Sequence, residues 1–237
     1  MKKSNVKYKV EYEIELRRNP HKGLYIALEG IDGAGKTTQI GLLENYLRNH
    51  HKRFVETAEP RKAGSPVGEL IHEILKGKIK IPPLANQFLF TADRVINHLE
   101  VIEPALKRGD VVLSHRCLWS NLPYGMLDKE ETDYDSADAR IINAAHGLLS
   151  LYHQFIIPDI AFYLRISPET AMERIAHMHR EHEIYEKREK LEKIAKGYEW
   201  EVKRFPDEFV VIDGEKSEEK VFDQIKKHVD RALTETK

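Results

Sequence analysis

One short stretch of the sequence has the residue types and spacing needed to bind a nucleotide's phosphates. Residues 30–37 read GIDGAGKT and match the pattern G-x-x-x-x-G-K-[ST] without a mismatch. The glycines let the backbone curl so that its N–H groups point at phosphate oxygens. Lys36 is then placed to bridge the β- and γ-phosphates, and the Thr37 hydroxyl to hold Mg²⁺. The residues predicted to contact a nucleoside triphosphate are Gly30, Ile31, Asp32, Gly33, Ala34, Gly35, Lys36, Thr37 and Thr38.

The segments on either side of this P-loop are those that its chemistry requires. Leu24–Glu29 is predicted to be a buried strand, and Lys36–Asn49 a helix whose N-terminus adds partial positive charge. Further apolar runs predict strands at Arg53–Thr57, Val111–Ser114, Ile160–Ile166 and Phe209–Ile212. Amphipathic stretches predict helices at Pro66–Leu75, Leu84–Lys107 (broken near Pro104), Ala137–His153, Pro168–His177, Glu186–Phe205 and Ser217–Leu233. This alternation predicts an α/β fold of three layers, the P-loop NTPase fold, with a mostly parallel five-stranded sheet and helices on both faces.

The N-terminal residues follow a different pattern. Val10, Tyr12, Ile14 and Leu16 alternate with glutamates, which predicts an extra N-terminal β-strand. We therefore expect an arm at residues 1–22 and a single P-loop domain at residues 23–237.

Composition excludes several classes of partner. The chain has 237 residues, with 38 basic and 39 acidic side chains and a net charge of -1, so no overall positive field indicates nucleic-acid binding. The longest apolar runs are strand-sized, which predicts no membrane partner. Because Cys117 is the single cysteine and the N-terminus is charged, we expect a cytoplasmic protein.

The residues around the loop narrow the choice among P-loop proteins. Residues 29–39 (EGIDGAGKTTQ) closely resemble the opening of the thymidylate kinase family, and FTADR at 90–94, RGDVV at 108–112, PDIAFYL at 158–164 and FVVID at 209–213 follow in the family's order. The resemblance covers about residues 24–230. It implies transfer of the γ-phosphoryl group of ATP to a nucleoside monophosphate, with dTMP converted to dTDP, and it implies a homodimer.

The same resemblance assigns expected roles to individual residues. Asp32 would accept a hydrogen bond from the sugar 3′-hydroxyl, and Phe90 would stack on the base. Arg94 would reach the base edge or the acceptor phosphate, and Arg116 would bridge the donor and acceptor phosphates. The remaining positions are Ser120 and Tyr124, lining the base and the sugar C2′ side, and Arg180, reaching the transferred group from a lid at about residues 177–187. Tyr124 would thereby disfavour a ribose 2′-hydroxyl.

Two positions depart from the family's pattern. His115 stands where the family has an aspartate that helps to hold the Mg²⁺ shell, and imidazole is a poor Mg²⁺ ligand, so Glu59 is one candidate to compensate. Ala58 stands where the family usually has an arginine that binds the acceptor's 5′-phosphate, and Arg61 and Lys62 are candidates for that role instead. These changes leave two alternatives open. One is a deoxynucleoside kinase with His115 as base, and the other is a divergent nucleotide-binding protein with little kinase activity.

Overall fold

The sheet has the strands and the parallel arrangement that the sequence predicts. The computed structural model describes residues 15–61, 64–125, 154–177 and 183–235. Its five strands are β1 (Leu24–Glu29), β2 (Phe54–Ala58), β3 (Val111–His115), β4 (Ile160–Arg165) and β5 (Phe209–Asp213). All pair in parallel, in the order β2-β3-β1-β4-β5. Every residue of β1 and β3 is buried, and since successive side chains of a strand point to opposite faces, both faces of the sheet are covered.

Helices surround this sheet, and most of their bounds agree with the predicted ones to within two residues. They are α1 (Lys36–Asn49), α2 (Pro66–Leu75), α3 (Pro83–Asn97), α4 (Glu103–Lys107), α5 (Asn121–Gly125), α6 (Pro168–Ala176), α7 (Arg188–Arg204) and α8 (Glu218–Glu235). The stretch predicted to be helical at residues 84–107, with a break near Pro104, is divided by a π-helical turn, His98–Ile102, and α5 lies where no helix was predicted. Pro104 lacks the N–H that would bond to the carbonyl of Glu100, so the regular helix cannot continue through this point.

The strand order places the P-loop at the point where ligands bind in open α/β sheets. The chain runs from β1 to the edge strand β2, returns to β3 beside β1, and then crosses to the other side of β1 for β4 and β5. Ligands of such sheets bind beyond the carboxyl ends of the strands, where the strand order reverses. The P-loop follows β1 and the segment beginning at Arg116 follows β3, so neighbouring strands bring them to the same edge.

Some predictions fall outside the part of the chain that the structure describes. They include most of the N-terminal strand, the helix at 137–153 and the lid residues 178–182. At the described start of the chain, Arg17 makes a single parallel bridge to Ile156. Among the described residues, no helix is long and apolar enough to cross a membrane.

Helix α7 buries a carboxyl group that the sequence pattern does not reveal. Leu191, Ile194 and Tyr198 form its buried stripe, and Glu201 continues that stripe with an exposed fraction of 0%. Neither carboxyl oxygen of Glu201 makes a hydrogen bond within the described residues. Burial, followed by repulsion from Glu29, raises the pKa of Glu201 well above its usual value of 4.5. This environment therefore favours the neutral acid over the carboxylate.

We expect Glu201→Met to stabilise the fold, and to do so more strongly as pH rises. A buried group without partners costs about 1–3 kcal/mol, which the apolar side chain of similar size removes. Because the folded-state pKa is raised, the unfolded chain ionises first above pH 4.5, and the wild type loses stability through that window. Urea unfolding at pH 5 and pH 8 measures the effect. A stability gain that is the same at both pH values would contradict the assignment of a neutral buried acid.

Candidate active site

The loop between β1 and α1 has a backbone that only glycine fits at two positions. Gly30 has φ 136° and Gly33 has φ 83°, both in the region that favours glycine. A Cβ added at Gly30 would lie 2.8 Å from the carbonyl oxygen of Leu164, and one at Gly33 would lie 2.8 Å from that of Ala171. The loop is therefore held closely against the end of β4 and against α6, in a curled form.

Lys36 lies at the start of α1 and turns back over this loop. Its Nζ donates hydrogen bonds of 2.9 Å to the carbonyl oxygens of both Gly30 and Ile31. Burial and the nearby charge of Arg116 lower the pKa of Lys36 to about 7, against the attraction of Asp32. Phosphate oxygens beside this amine would restore its full charge, so the lysine is poised to bind an anion.

Arg116 is held at the edge of the sheet by an unusual number of contacts. It follows β3 directly and has φ 71°, an uncommon conformation for a residue with a side chain. Its guanidinium donates hydrogen bonds to Asp32 (2.7 Å), Tyr124 (2.6 Å), the Gly30 carbonyl (3.0 Å), Tyr198 (3.0 Å) and Ser120 (3.3 Å). It also lies 4.6 Å from the centre of the Tyr124 ring. The cation is thus fixed beside the P-loop, between groups that come from three segments of the chain.

A buried carboxylate, Glu29, holds residues around Arg116 in place. Glu29 has an exposed fraction of 0% and accepts hydrogen bonds from the Cys117 N–H (2.7 Å), Ser120 (2.6 Å) and Tyr198 (2.7 Å). Tyr198 stacks on Tyr163 with ring centres 5.0 Å apart, which fixes its hydroxyl in place. Glu29 and Tyr198 thus orient the segment that carries Arg116, a contact that the sequence does not reveal.

A cleft of about 240 Å³ opens beside the P-loop and contains the predicted acceptor site. All the predicted substrate-binding residues line it: Asp32, Phe90, Arg94, Arg116, Ser120 and Tyr124. Lys36 and Thr37 form the wall nearest the P-loop. Residues predicted from distant parts of the sequence therefore share one cavity, which is lined by both cations and aromatic rings.

A second cavity, of about 310 Å³, lies on the other side of the P-loop. Gly35 and Thr38 line it, together with Lys216 from the loop that follows β5. Arg174 of α6 joins the two loops, because it donates hydrogen bonds to the carbonyl oxygens of Gly33 (3.4 Å) and Gly214 (2.9 Å). The P-loop thus separates two cavities, as a transfer between two bound nucleotides requires.

Comparison with known proteins identifies the family. A sequence model described as thymidylate kinase matches residues 28–225. The thymidylate kinase of Thermosipho africanus is 36% identical over 220 residues, covering 89% of this chain and 99% of its own. That of Thermoanaerobacter sp. is 32% identical, covering 88% of this chain and 100% of its own, and that of Bifidobacterium longum subsp. infantis is 30% identical, covering 89% and 88%. This chain belongs to the thymidylate kinase family. The resemblance and the fold predicted from the sequence are thereby confirmed.

Two of the residues that the family pattern points to are paired with each other. Arg94 donates a hydrogen bond of 2.5 Å from Nε to Glu59, and both side chains are almost fully buried. Burial raises the pKa of Glu59, while Arg94 acts in the opposite direction. Arg94 also donates to the carbonyl oxygen of Cys117 (3.3 Å). Glu59 is therefore engaged with Arg94, which weighs against its proposed role in the Mg²⁺ shell, while Arg94 keeps its place on the cleft wall.

The two departures from the thymidylate kinase pattern are neighbours in the structure. Ala58 ends β2 and His115 ends β3, and they are paired in the parallel register. Both line the cleft. The His115 ring hydrogen-bonds to Glu56 through Nε2 at 2.8 Å. Departures 57 positions apart in sequence thus alter one small part of the cleft wall.

Arg61 does not take the place of the arginine missing at position 58. Its guanidinium contacts Asp93 (3.3 Å), Glu100 (2.9 Å) and Ser65 (2.9 Å), and its backbone N–H donates to Asp93 (2.7 Å). These contacts direct it toward a neighbouring cavity, which Ala58 also lines, and Arg61 is not among the residues that line the cleft. Lys62 and the lid arginine Arg180 lie outside the described residues, so their roles stay predictions.

Proposed function

We propose that the protein is a thymidylate kinase, which transfers the γ-phosphoryl group of ATP to dTMP and releases ADP and dTDP. The observation that carries the proposal is the shared cleft, in which an acceptor pocket with aromatic walls opens onto Lys36 and Arg116 of the phosphate site. The donor phosphates bind the P-loop, and the donor's nucleoside lies on the side of Thr38 and Lys216. Membership of the family supports ATP as donor.

The mechanism follows from the positions of these groups. A phosphate oxygen of a nucleoside monophosphate is already nucleophilic, so no strong base is needed and the rate depends on alignment and charge neutralisation. Lys36 neutralises the donor phosphates, and Arg116 reaches both the P-loop carbonyl of Gly30 and the acceptor side of the cleft. Asp32 meets the acceptor's sugar, and Phe90 and Tyr124 enclose its base and sugar. Arg180, in a lid at about residues 177–187, completes the charge neutralisation.

Oxygen donors at the P-loop fit a magnesium ion. Thr37 lies in the first turn of α1 and lines the cleft together with Asp32, and hydroxyl and carboxylate oxygens are ligands that Mg²⁺ prefers. Within the described residues, no group of three or more His, Cys, Asp or Glu side chains could hold a metal ion by itself. We therefore assign Thr37 to the ion, with phosphate oxygens and water completing its shell. When bound, Mg²⁺ offsets the negative charge of the phosphates.

The decisive experiment is a phosphoryl-transfer assay with Mg·ATP and a panel of acceptors: dTMP, dUMP, dCMP, the purine monophosphates and thymidine. We expect selective formation of dTDP, identified by mass spectrometry. Conversion of thymidine in preference to dTMP would instead make the protein a nucleoside kinase with His115 as the candidate base. Tight ATP binding without product from any acceptor would overturn the kinase assignment.

Restoring an arginine at position 58 is expected to improve acceptor binding. Ala58 lines the cleft and no other described cation replaces the arginine usual in the family, so Ala58→Arg adds a charge-assisted contact to the 5′-phosphate, worth about 1.5–3 kcal/mol. The KM for dTMP should fall about tenfold or more while the KM for ATP stays unchanged. Ala58→Met is the control of similar length. Equal KM values for the two variants would show that the acceptor phosphate does not approach position 58.

We further propose that the protein acts as a homodimer in the cytoplasm. Large apolar side chains are exposed on the α3 segment and the π-helical turn, namely Phe88 (58%) and Leu99 (61%), and a second copy would cover them. Light scattering of Phe88→Glu and Leu99→Glu against the wild type tests this interface, since loss of the dimer is expected in the variants.

A further inference from the structure

Two amide groups in the acceptor cleft have hydrogen-bond donors that nothing in the described protein satisfies. Gln87 of α3 and Asn121 at the start of α5 both line the cleft. Gln87 Nε2 and Asn121 Nδ2 are both buried and make no hydrogen bond within the described residues. Buried N–H groups are nearly always paired in folded proteins, and an unpaired one is unfavourable. Within the described residues these two donors have no partner, which leaves them available to a ligand in the cleft.

The surroundings of Gln87 indicate what that partner is. Phe90 lies three residues further along the same helix, so both side chains lie on one face of α3. Tyr185 meets the Tyr124 ring edge-on at 5.3 Å and closes the cleft around them. Lys36 and Arg116 lie beside the P-loop, whereas Arg94 lies one turn beyond Phe90 on α3. The α3 side of the cleft is thus suited to a flat ring with hydrogen-bonding edges, and the P-loop side to its phosphate.

We propose that Gln87 is a specificity-determining residue, which reads a carbonyl group of the acceptor's pyrimidine base through its Nε2–H. This proposal rests on the proposed function. A thymine or uracil ring presents carbonyl oxygens on both sides of its N3–H, whereas cytosine has an amino group in place of one of them. An amide N–H that donates to the oxygen at C4 favours thymine and uracil, and it meets the amino group at C4 when cytosine occupies the cleft. With its Nε2 in this orientation, Gln87 disfavours dCMP because two donors face each other.

The test compares Gln87→Leu with the wild type, using dTMP, dUMP and dCMP as acceptors. We expect the kcat/KM for dTMP and dUMP to fall about tenfold or more, because one hydrogen bond is lost. The kcat/KM for dCMP should change little, so that discrimination between dTMP and dCMP falls by the same factor. Gln224→Leu is the matched control, because Gln224 lies on α8 away from the cleft and donates a hydrogen bond to the carbonyl oxygen of Lys220 in the same helix (3.1 Å). It should leave all three values unchanged.

Calorimetric titration of dTMP and dCMP separates this proposal from the proposed function. If the wild type binds dTMP in preference to dCMP and Gln87→Leu loses that preference, Gln87 reads the base whether or not phosphoryl transfer follows. If Gln87→Leu unfolds at the wild-type temperature and keeps the wild-type preference, the proposal is overturned while the kinase assignment stands. A wild type that binds neither nucleotide would overturn both. Gln87→Glu, which keeps the shape but replaces the donor by an acceptor, should shift the preference toward dCMP.

Discussion

Lys36→Ala is expected to abolish phosphoryl transfer, lowering kcat/KM for ATP and dTMP by about a thousandfold or more. The amine lies against the P-loop, where it donates hydrogen bonds to the carbonyl oxygens of Gly30 and Ile31. Burial is the main cause of its pKa of about 7. The fold therefore holds the amine beside the loop although this removes the amine from water. Alanine leaves the donor phosphates without this charge in the transition state. A coupled assay of ADP release measures the loss.

Lys52→Ala is the control for this variant, because Lys52 is exposed and precedes β2 at the amino end of the sheet. It should retain full activity. The fold should survive in Lys36→Ala, since the helix α1 keeps its buried residues Ile40, Leu43 and Leu47. Activity near the wild-type level in a correctly folded Lys36→Ala protein would mean that the P-loop does not bind the transferred phosphoryl group.

Local signals explain why much of the fold is predictable from sequence. The bounds of α2 agree with the prediction because Ser65 caps the helix, accepting a hydrogen bond of 3.1 Å from the Gly68 N–H, and Pro66 begins it. The curled form of the P-loop is likewise predictable, because its glycines permit the positive φ angles that the loop requires. Such features depend on a few adjacent residues, so they are visible without knowledge of the tertiary structure.

The parts of the site that were not predictable depend on contacts between distant segments. The sequence predicts Tyr198 only as one apolar position of a charged helix, yet its hydroxyl donates a hydrogen bond to Glu29, 169 positions away in the sequence. The direction of Arg61 is set by Asp93, and the pairing of Arg94 with Glu59 joins α3 to the end of β2. The neighbouring positions of Ala58 and His115 follow from the register of β2 and β3. Sequence spacing gives no information about which of several partners a buried charge selects.

These distant contacts also give the arginines of the cleft protein partners before substrates bind. Asp32 and Tyr124 occupy Arg116, and Glu59 occupies Arg94, so each acceptor-side cation already has an oxygen partner in the cleft wall. An incoming phosphate competes with neutral or anionic oxygens of the protein rather than with bulk water. Substrate binding then exchanges one set of hydrogen bonds for another, which favours ligands whose oxygens match the existing geometry.

The second large effect is expected at Arg116, where Arg116→Lys should lower kcat by about a hundredfold or more although the charge is kept. The planar guanidinium contacts Asp32 and Tyr124 with one nitrogen, and Gly30 and Tyr198 with the other. A lysine ammonium is a single point and cannot span these partners, so the cation would no longer lie between the two phosphates. Steady-state kinetics should show the loss mainly in kcat, because the contact is made most strongly in the transition state.

Arg231→Lys provides the matched control, since Arg231 is exposed on α8 and pairs with Glu235 one turn away. It should leave both kcat and KM unchanged. If Arg116→Lys raises the KM for dTMP but leaves kcat intact, Arg116 contributes to acceptor binding alone, and the bridging role falls to another cation. If instead kcat falls and the unfolding temperature is preserved, the left-handed backbone at Arg116 is explained as well. The contacts that hold this uncommon conformation are then the same ones that place the guanidinium for transfer.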